Sequence, residues 1–173
     1  MKRIIKFCLI IIFIIALDQI SKGIIKSNFH LNESLEVIKG FFNITYVQNR
    51  GAAFGILADV NESIRKPVLF IIPVFVCFFL IYLVKQIWRK NLILETAYCL
   101  ILAGAVGNLI DRYSMNYVVD FLDFYWGRYH FPAFNVADSA ISIATGLLIF
   151  DLIMATQKKR ITIDNDQQSS TGK

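Results

Sequence analysis

Two aspartates, Asp120 and Asp138, stand eighteen residues apart in apolar sequence, one in Tyr117-Val-Val-Asp-Phe121 and the other in Phe134-Asn-Val-Ala-Asp-Ser139. Asp138 opens an apolar run long enough to cross a bilayer. A carboxylate costs roughly 2.5–3.5 kcal/mol at the centre of a bilayer and less near its surface. Catalysis or ion handling is the usual reason such a group is kept; the plainer alternative is that Asn135 or Asp138 caps a helix start. Two aspartates held close cannot both ionise, so one keeps its proton. The charged one can then activate a water, while the neutral one protonates a carbonyl oxygen and later assists a leaving amine. That chemistry needs no cofactor and no metal.

Other chemistries match the chain poorly. Its only histidines, His30 and His130, fall in separate loops, and no His-Glu-x-x-His motif occurs. Ser139 has no histidine or lysine base within its own helix. A glycine-rich loop that could cradle phosphate is absent. Further polar residues do recur at helical spacing. Asp18 and Lys22 stand at i and i+4, where an ion pair or shared network is available, although Lys22 could equally snorkel outward. Asn108 and Arg112 are one turn apart, with Arg112 either an interfacial anchor or a carboxylate partner. Asn135, Asp138 and Ser142 form a third set.

The elements that must position these groups are transmembrane helices. The 173 residues are 56% hydrophobic, with mean hydropathy +0.56. Four runs, at about 4–25, 67–84, 92–110 and 136–156, approach the ~20 residues that cross a bilayer. The chain therefore reads as one polytopic domain: an all-α membrane protein of four transmembrane helices. Outer loops at 27–66 and 112–135 carry a small β element and a short helix, and a polar tail covers 157–173. Lys and Arg are densest before span one, between spans two and three, and after span four, which places both termini in the cytoplasm. The net charge of +5 follows from this topology, and no basic stripe with interleaved aromatics points to nucleic acid. No small-residue cleavage site follows span one, so it reads as an uncleaved helix. Cys8, Cys77 and Cys99 each lie inside a span without ligand-like spacing.

On this topology Asp18, Asn108, Arg112, Asn135, Asp138 and Ser142 share one depth, near the outer boundary. Three helices supplying polar residues at matching depth point to a single cavity that opens outward. In the first outer loop, Leu35–Ile38 and Phe41–Val47 flank Lys39-Gly40, as in a short antiparallel pair. Asn49-Arg-Gly-Ala-Ala-Phe-Gly55 follows, with small residues bracketing Phe54 as an apolar finger. Asn61–Arg65 reads as a short surface helix, Pro67–Val84 as uncharged scaffold, Asp123 and Asp120 as loop residues, and Asp151 as interfacial.

The motifs Asp18-Gln-Ile-Ser-Lys22, Asn49-x-Gly-Ala-Ala-Phe-Gly55, Gly104-x-x-Gly-Asn-x-x-Asp-Arg112, Val118-Val-Asp-Phe121 and Phe134-Asn-Val-Ala-Asp-Ser139 resemble, in order, those of bacterial lipoprotein signal peptidases, or signal peptidase II. Ala103 departs from the glycine usual there. The resemblance implies an aspartic endopeptidase of the cell membrane with Asp120 and Asp138 as its catalytic pair. Asn49, Gly51, Phe54, Asn108, Arg112 and Asn135 become substrate-binding or positioning groups, and Asp18 and Lys22 structural support. The implied substrate is a prolipoprotein whose cysteine bears diacylglycerol, cut just before that cysteine. Membrane lipids and globomycin-type peptide inhibitors are the other implied partners. The competing reading is a proton-coupled transporter. It would call for inverted repeats and polar groups through the full depth, whereas the inner halves of the spans read as almost purely apolar.

Overall fold

The computed structural model describes residues 2–51, 57 and 60–171, with the side chains of the last helix as far as Lys158. Among these residues run α1 (Lys2–Asn28), β1 (Ser34–Ile38), β2 (Phe42–Asn49), α2 (Glu62–Ile87), α3 (Leu92–Met115), β3 (Val118–Trp126), β4 (Tyr129–His130) and α4 (Val136–Thr171). The four helices have the length and composition to cross a membrane, with mean hydropathies of 1.7 to 2.8 over their most apolar stretches. Their outward faces, such as Leu9, Ile12 and Phe13 on α1 and Phe75, Phe78 and Phe79 on α2, remain exposed, as suits surfaces solvated by lipid. The chain is thus a multi-pass membrane protein.

α3 packs against each of the other helices. Small residues make this possible. A Cβ added to Gly104 would collide with the Ala137 carbonyl and Ile141 of α4, and one at Gly107 would stand 2.7 Å from Asp18 Oδ2 of α1. Asparagines punctuate the ends. The Asn61 side chain accepts the Ser63 amide at the head of α2, and Asn91 accepts those of Ile93 and Leu94 at the head of α3. Asn116 closes α3 in the left-handed region at φ 63°, its N–H returning to Arg112 O.

Several expected boundaries change. Asn61–Arg65 is not a separate surface helix but the cap and first turn of α2. Glu62 reaches Lys66 at 2.9 Å and Arg65 at 3.8 Å, a spacing that supports a continuous helix. α3 extends past residue 110, so Asp111 and Arg112 are helical. The backbone of α4 continues through the polar tail to Thr171.

The expected antiparallel pair is present as β1 and β2, turning at Gly40 with φ 75°. It belongs to a larger sheet ordered β1-β2-β3-β4. Asp120, expected in a loop, lies in β3 opposite Val47, with Val118 opposite Asn49. Val118, Val119, Asp120 and Phe121 are all buried, so the alternation that advertises a strand is missing from the sequence. β3 packs on α1 and α3, and Ile25, Tyr46, Val119 and Phe121 form a small core beneath the sheet.

The opposite end of the bundle is less apolar than expected. Glu95 is fully buried there, 2.8 Å from the Arg3 guanidinium, and accepts the Arg89 amide. Asp151 accepts from the Asn91 side chain at 2.7 Å rather than facing the interface alone. Asp151 read as interfacial in the sequence because its partner Asn91 lies sixty residues away, at the head of another helix.

Candidate active site

The site is built outward from one lysine. Lys22 Nζ, fully buried on α1, has three protons to give. Asp18 Oδ2 lies 2.8 Å away, Asp111 Oδ2 2.9 Å and Asn108 Oδ1 3.1 Å. All three donors are therefore used, which is what a buried ammonium requires. Gln19 Nε2 ties the same acids together, donating to Asp111 Oδ1, Gly107 O and Asp18 Oδ2 at 3.0–3.2 Å. Asp18 Oδ1 accepts the Ala137 amide in the first turn of α4, so α1 caps α4. Asp111 Oδ2 accepts the Val119 amide and fixes the start of β3.

This charged foundation orients the amides above it. Because Lys22 can only donate, Asn108 must turn its oxygen toward it and its NH2 toward Asp138 Oδ1, 2.8 Å away. The Asn108 oxygen also accepts from Asn135 Nδ2 at 3.2 Å. Asn135 Nδ2 in turn donates to Asp120 Oδ1 at 2.7 Å. On the far side, Asn49 Oδ1 accepts the Gly51 amide, which leaves the Asn49 NH2 to meet Asp120 Oδ2 at 3.0 Å. A continuous ladder thus runs Asn49, Asp120, Asn135, Asn108, Asp138, drawing on β2, β3, α3 and the head of α4. Helix capping and site building coincide here. Asn135 Oδ1 accepts the Asp138 amide, and Asp138 Oδ2 accepts the Asn135 amide at 3.3 Å, a reciprocal cap that leaves Oδ1 to Asn108.

Both carboxylates line a cavity of about 730 Å3, together with Asn49, Asn108 and Arg112. The rest of its wall is mainly apolar, from Leu69 and Pro73 of α2, Phe131 and Phe134 of the loop before α4, and Ile141 and Ile143 of α4. Ile143, one of these lining residues, is itself exposed. Arg112 Nη2 reaches Gly51 O at 3.2 Å. Burial, reinforced by the Asp138 charge, pushes the Asp120 carboxyl up to about 7; the Asn49 and Asn135 donors and Lys22 oppose this without overcoming it. The Asp120 carboxyl therefore keeps its proton far above the ordinary carboxylate range.

Of the residues singled out from sequence, Asp18, Lys22, Asn49, Gly51, Asn108, Arg112, Asp120, Asn135 and Asp138 fall in this one connected set, and Ser142 lines the cavity. Phe54 lies outside the described residues. Lys22 does not snorkel; the buried network holds it. Sequence reasoning gave no role to Asp111 or Gln19. Asp111 is buried at 1% exposure and stands at i+3 from Asn108, a spacing that would have revealed it. Asp123 is bound elsewhere, by Asn43 at 3.0 Å and by His130 at 2.9 Å.

Residues 10–154 match the model of the signal peptidase (SPase) II family. The lipoprotein signal peptidase of Desulforapulum autotrophicum is 42% identical over 152 residues, covering 88% of this chain and 94% of that protein. That of Syntrophus aciditrophicus is 45% identical over 161 residues, covering 91% and 98%. A bacterial membrane enzyme solved by the in meso method at 2.3 Å superposes with a TM-score of 0.78 at 38% identity, covering 89% of this chain and 91% of that one.

Proposed function

The chain belongs to the signal peptidase II family, and on that premise we propose that Asp120 and Asp138 together hydrolyse the bond before a diacylglyceryl-modified cysteine of prolipoproteins. Membership makes it a peptidase that removes signal peptides from prolipoproteins. The observation that carries the finer reading is the amide ladder that joins the two carboxylates across one cavity.

The dyad holds a single proton; with that proton on Asp120, Asp138 is the base, and the exchanged assignment gives the same products. Asp138 takes a proton from a water as its oxygen adds to the scissile carbonyl carbon. Asp120 gives its proton to the carbonyl oxygen, and a neutral gem-diol forms. Asp120 then recovers a proton from a gem-diol hydroxyl, Asp138 delivers its proton to the amine nitrogen, and the C–N bond breaks. The signal peptide leaves as a carboxylic acid, the lipidated cysteine as an amine, and the dyad returns to its starting state.

Asn49 and Asn135 orient Asp120, Asn108 orients Asp138, and Asp18 with Lys22 holds Asn108 in place. Arg112 lines the cavity and, with Gly51 whose carbonyl it reaches, positions the substrate. The apolar wall with its exposed Ile143 suits a substrate held in the membrane by acyl chains, and this reading sets the site at the outer face with both termini in the cytoplasm. Globomycin-type peptides would occupy the same cavity.

Cleavage of a diacylglyceryl-modified precursor peptide by the purified chain tests this reading. Asp120→Asn and Asp138→Asn should each abolish turnover, and the pH–rate profile should be bell-shaped, because activity needs one shared proton. Substantial cleavage by either variant would remove the two-aspartate mechanism.

A further inference from the structure

Hydroxyls on the spans turn back onto their own helices. Ser21, Thr96, Ser139, Thr145 and Thr156 each donate to a backbone carbonyl three or four residues earlier, which satisfies them where lipid offers no partner. Ser142 of α4 does not. Its side chain is exposed, lines the cavity that holds Asp120 and Asp138, and has no hydrogen-bond partner among the described residues.

Its depth gives that hydroxyl a use. α3 ends and α4 starts at the same side of the bundle, where Asn108 meets Asp138. Ser142 stands one turn beyond Asp138, about 5.4 Å further into the span. Arg112 stands one turn from Asn108 in the opposite sense, toward the end of α3. Ser142 is therefore the deepest polar side chain of the cavity lining. Other donors there are already engaged: the Asn49 and Asn108 amides on the dyad, and the Ser139 hydroxyl on Asn135 O.

A signal peptide reaches the dyad as the end of a membrane-crossing helix. The last four carbonyls of a helix have no intrahelical donor, and the hydrocarbon supplies none. We propose that the Ser142 hydroxyl donates to one of these carbonyls, on the signal-peptide side of the scissile bond, and is thus a substrate-binding residue. The step of about 5.4 Å from Asp138 spans roughly one to two residues of extended chain at ~3.3 Å each. That selects the carbonyl of the second or third residue before the cysteine. The contact is to main chain, so it serves precursors of different sequence alike. It rests on the peptidase mechanism proposed for this cavity.

The test is steady-state cleavage of a diacylglyceryl-modified precursor peptide by the full chain in detergent. Ser142→Ala should raise KM about three- to tenfold with kcat within about twofold, as for one neutral hydrogen bond made equally in ground and transition states. Thr145 turns its hydroxyl to Ile141 O and does not line the cavity, so Thr145→Val should leave both constants unchanged. Replacing the carbonyl oxygen of the second or third residue before the cysteine by sulfur, a weaker acceptor, should raise KM for the parent at one of the two positions and add nothing in Ser142→Ala. An unchanged KM in Ser142→Ala overturns the proposal, as does a fall in kcat in its place. A sulfur effect absent from the parent or undiminished in Ser142→Ala, or an equal KM rise in Thr145→Val, would overturn it too. If the parent does not cleave, or Asp120→Asn does, the mechanism fails and the contact with it; a competent parent beside an unaffected Ser142→Ala removes the contact alone.

Discussion

Asp120→Asn should stabilise the fold at neutral and alkaline pH while destabilising it in acid, even as it removes activity. The Asp120 carboxyl is pushed from its ordinary 3.8 to about 7, first by burial and then by the Asp138 charge. Between those values the folded protein keeps a proton that the unfolded chain has released. Native stability therefore falls as pH rises through that window, and flattens above it. At 1.36 kcal/mol per unit, the loss reaches at most about 4 kcal/mol. An amide does not titrate, so the variant escapes this loss. It suffers a fixed one instead. Asp120 accepts from Asn49 on one oxygen and from Asn135 on the other, and an asparagine can accept on only one side, which costs about 1–3 kcal/mol. The variant should be the less stable protein near pH 4 and the more stable one near pH 8. At about 2–4 °C per kcal/mol for a chain of this size, its unfolding midpoint should move by roughly 10 °C relative to the parent across that range. Thermal unfolding of both proteins in the same detergent at half-unit steps of pH measures it. Midpoints that run parallel from pH 4 to pH 8 would refute the reasoning, because they would mean that Asp120 ionises as easily in the fold as outside it.

Asp123→Asn and His130→Ala should retain cleavage, and chelators should have no effect, because that pair binds on the sheet away from the cavity lining; a zinc-restorable loss would contradict the metal-free mechanism. Asp111→Asn takes a charge from Lys22, and should lower stability by about 1–3 kcal/mol and kcat more than KM, as read by denaturation and steady-state kinetics. Gly107→Ala forces a methyl against Asp18 Oδ2 and should cost about 1–3 kcal/mol with reduced turnover; an unchanged unfolding midpoint would show that α1 and α3 pack less tightly than described. In a cysteine-free background, Ser63→Cys should react with an impermeant maleimide in cells with a permeabilised outer envelope and Lys90→Cys should not, and the reverse pattern would invert the topology.

The four spans were legible because lipid demands long apolar helices, and composition alone reports them. The polar pairs on α1 and α3 were equally legible, since helical spacing puts Asp18 beside Lys22 and Asn108 beside Arg112 whatever the surrounding fold. The β1–β2 turn announced itself through Lys39-Gly40 between β-branched and aromatic runs. Strand β3 did not, because a strand buried on both faces shows no alternation, and its Asp120 therefore read as a loop residue. Asp151 read as interfacial for a related reason: the partner that meets it, Asn91, is far away in the chain.

By itself the sequence determined which residue types were available and on which helices, because local periodicity and the length needed to cross a bilayer constrain those things. Tertiary structure alone decided which of them meet. Asp120 reaches the cavity because β3 pairs with β2 and starts from an amide fixed by Asp111. The direction in which each asparagine points also follows from assembly. Lys22 can only donate, so Asn108 must present its NH2 to Asp138, and that choice exists only once three helices and a strand have closed around one buried ammonium.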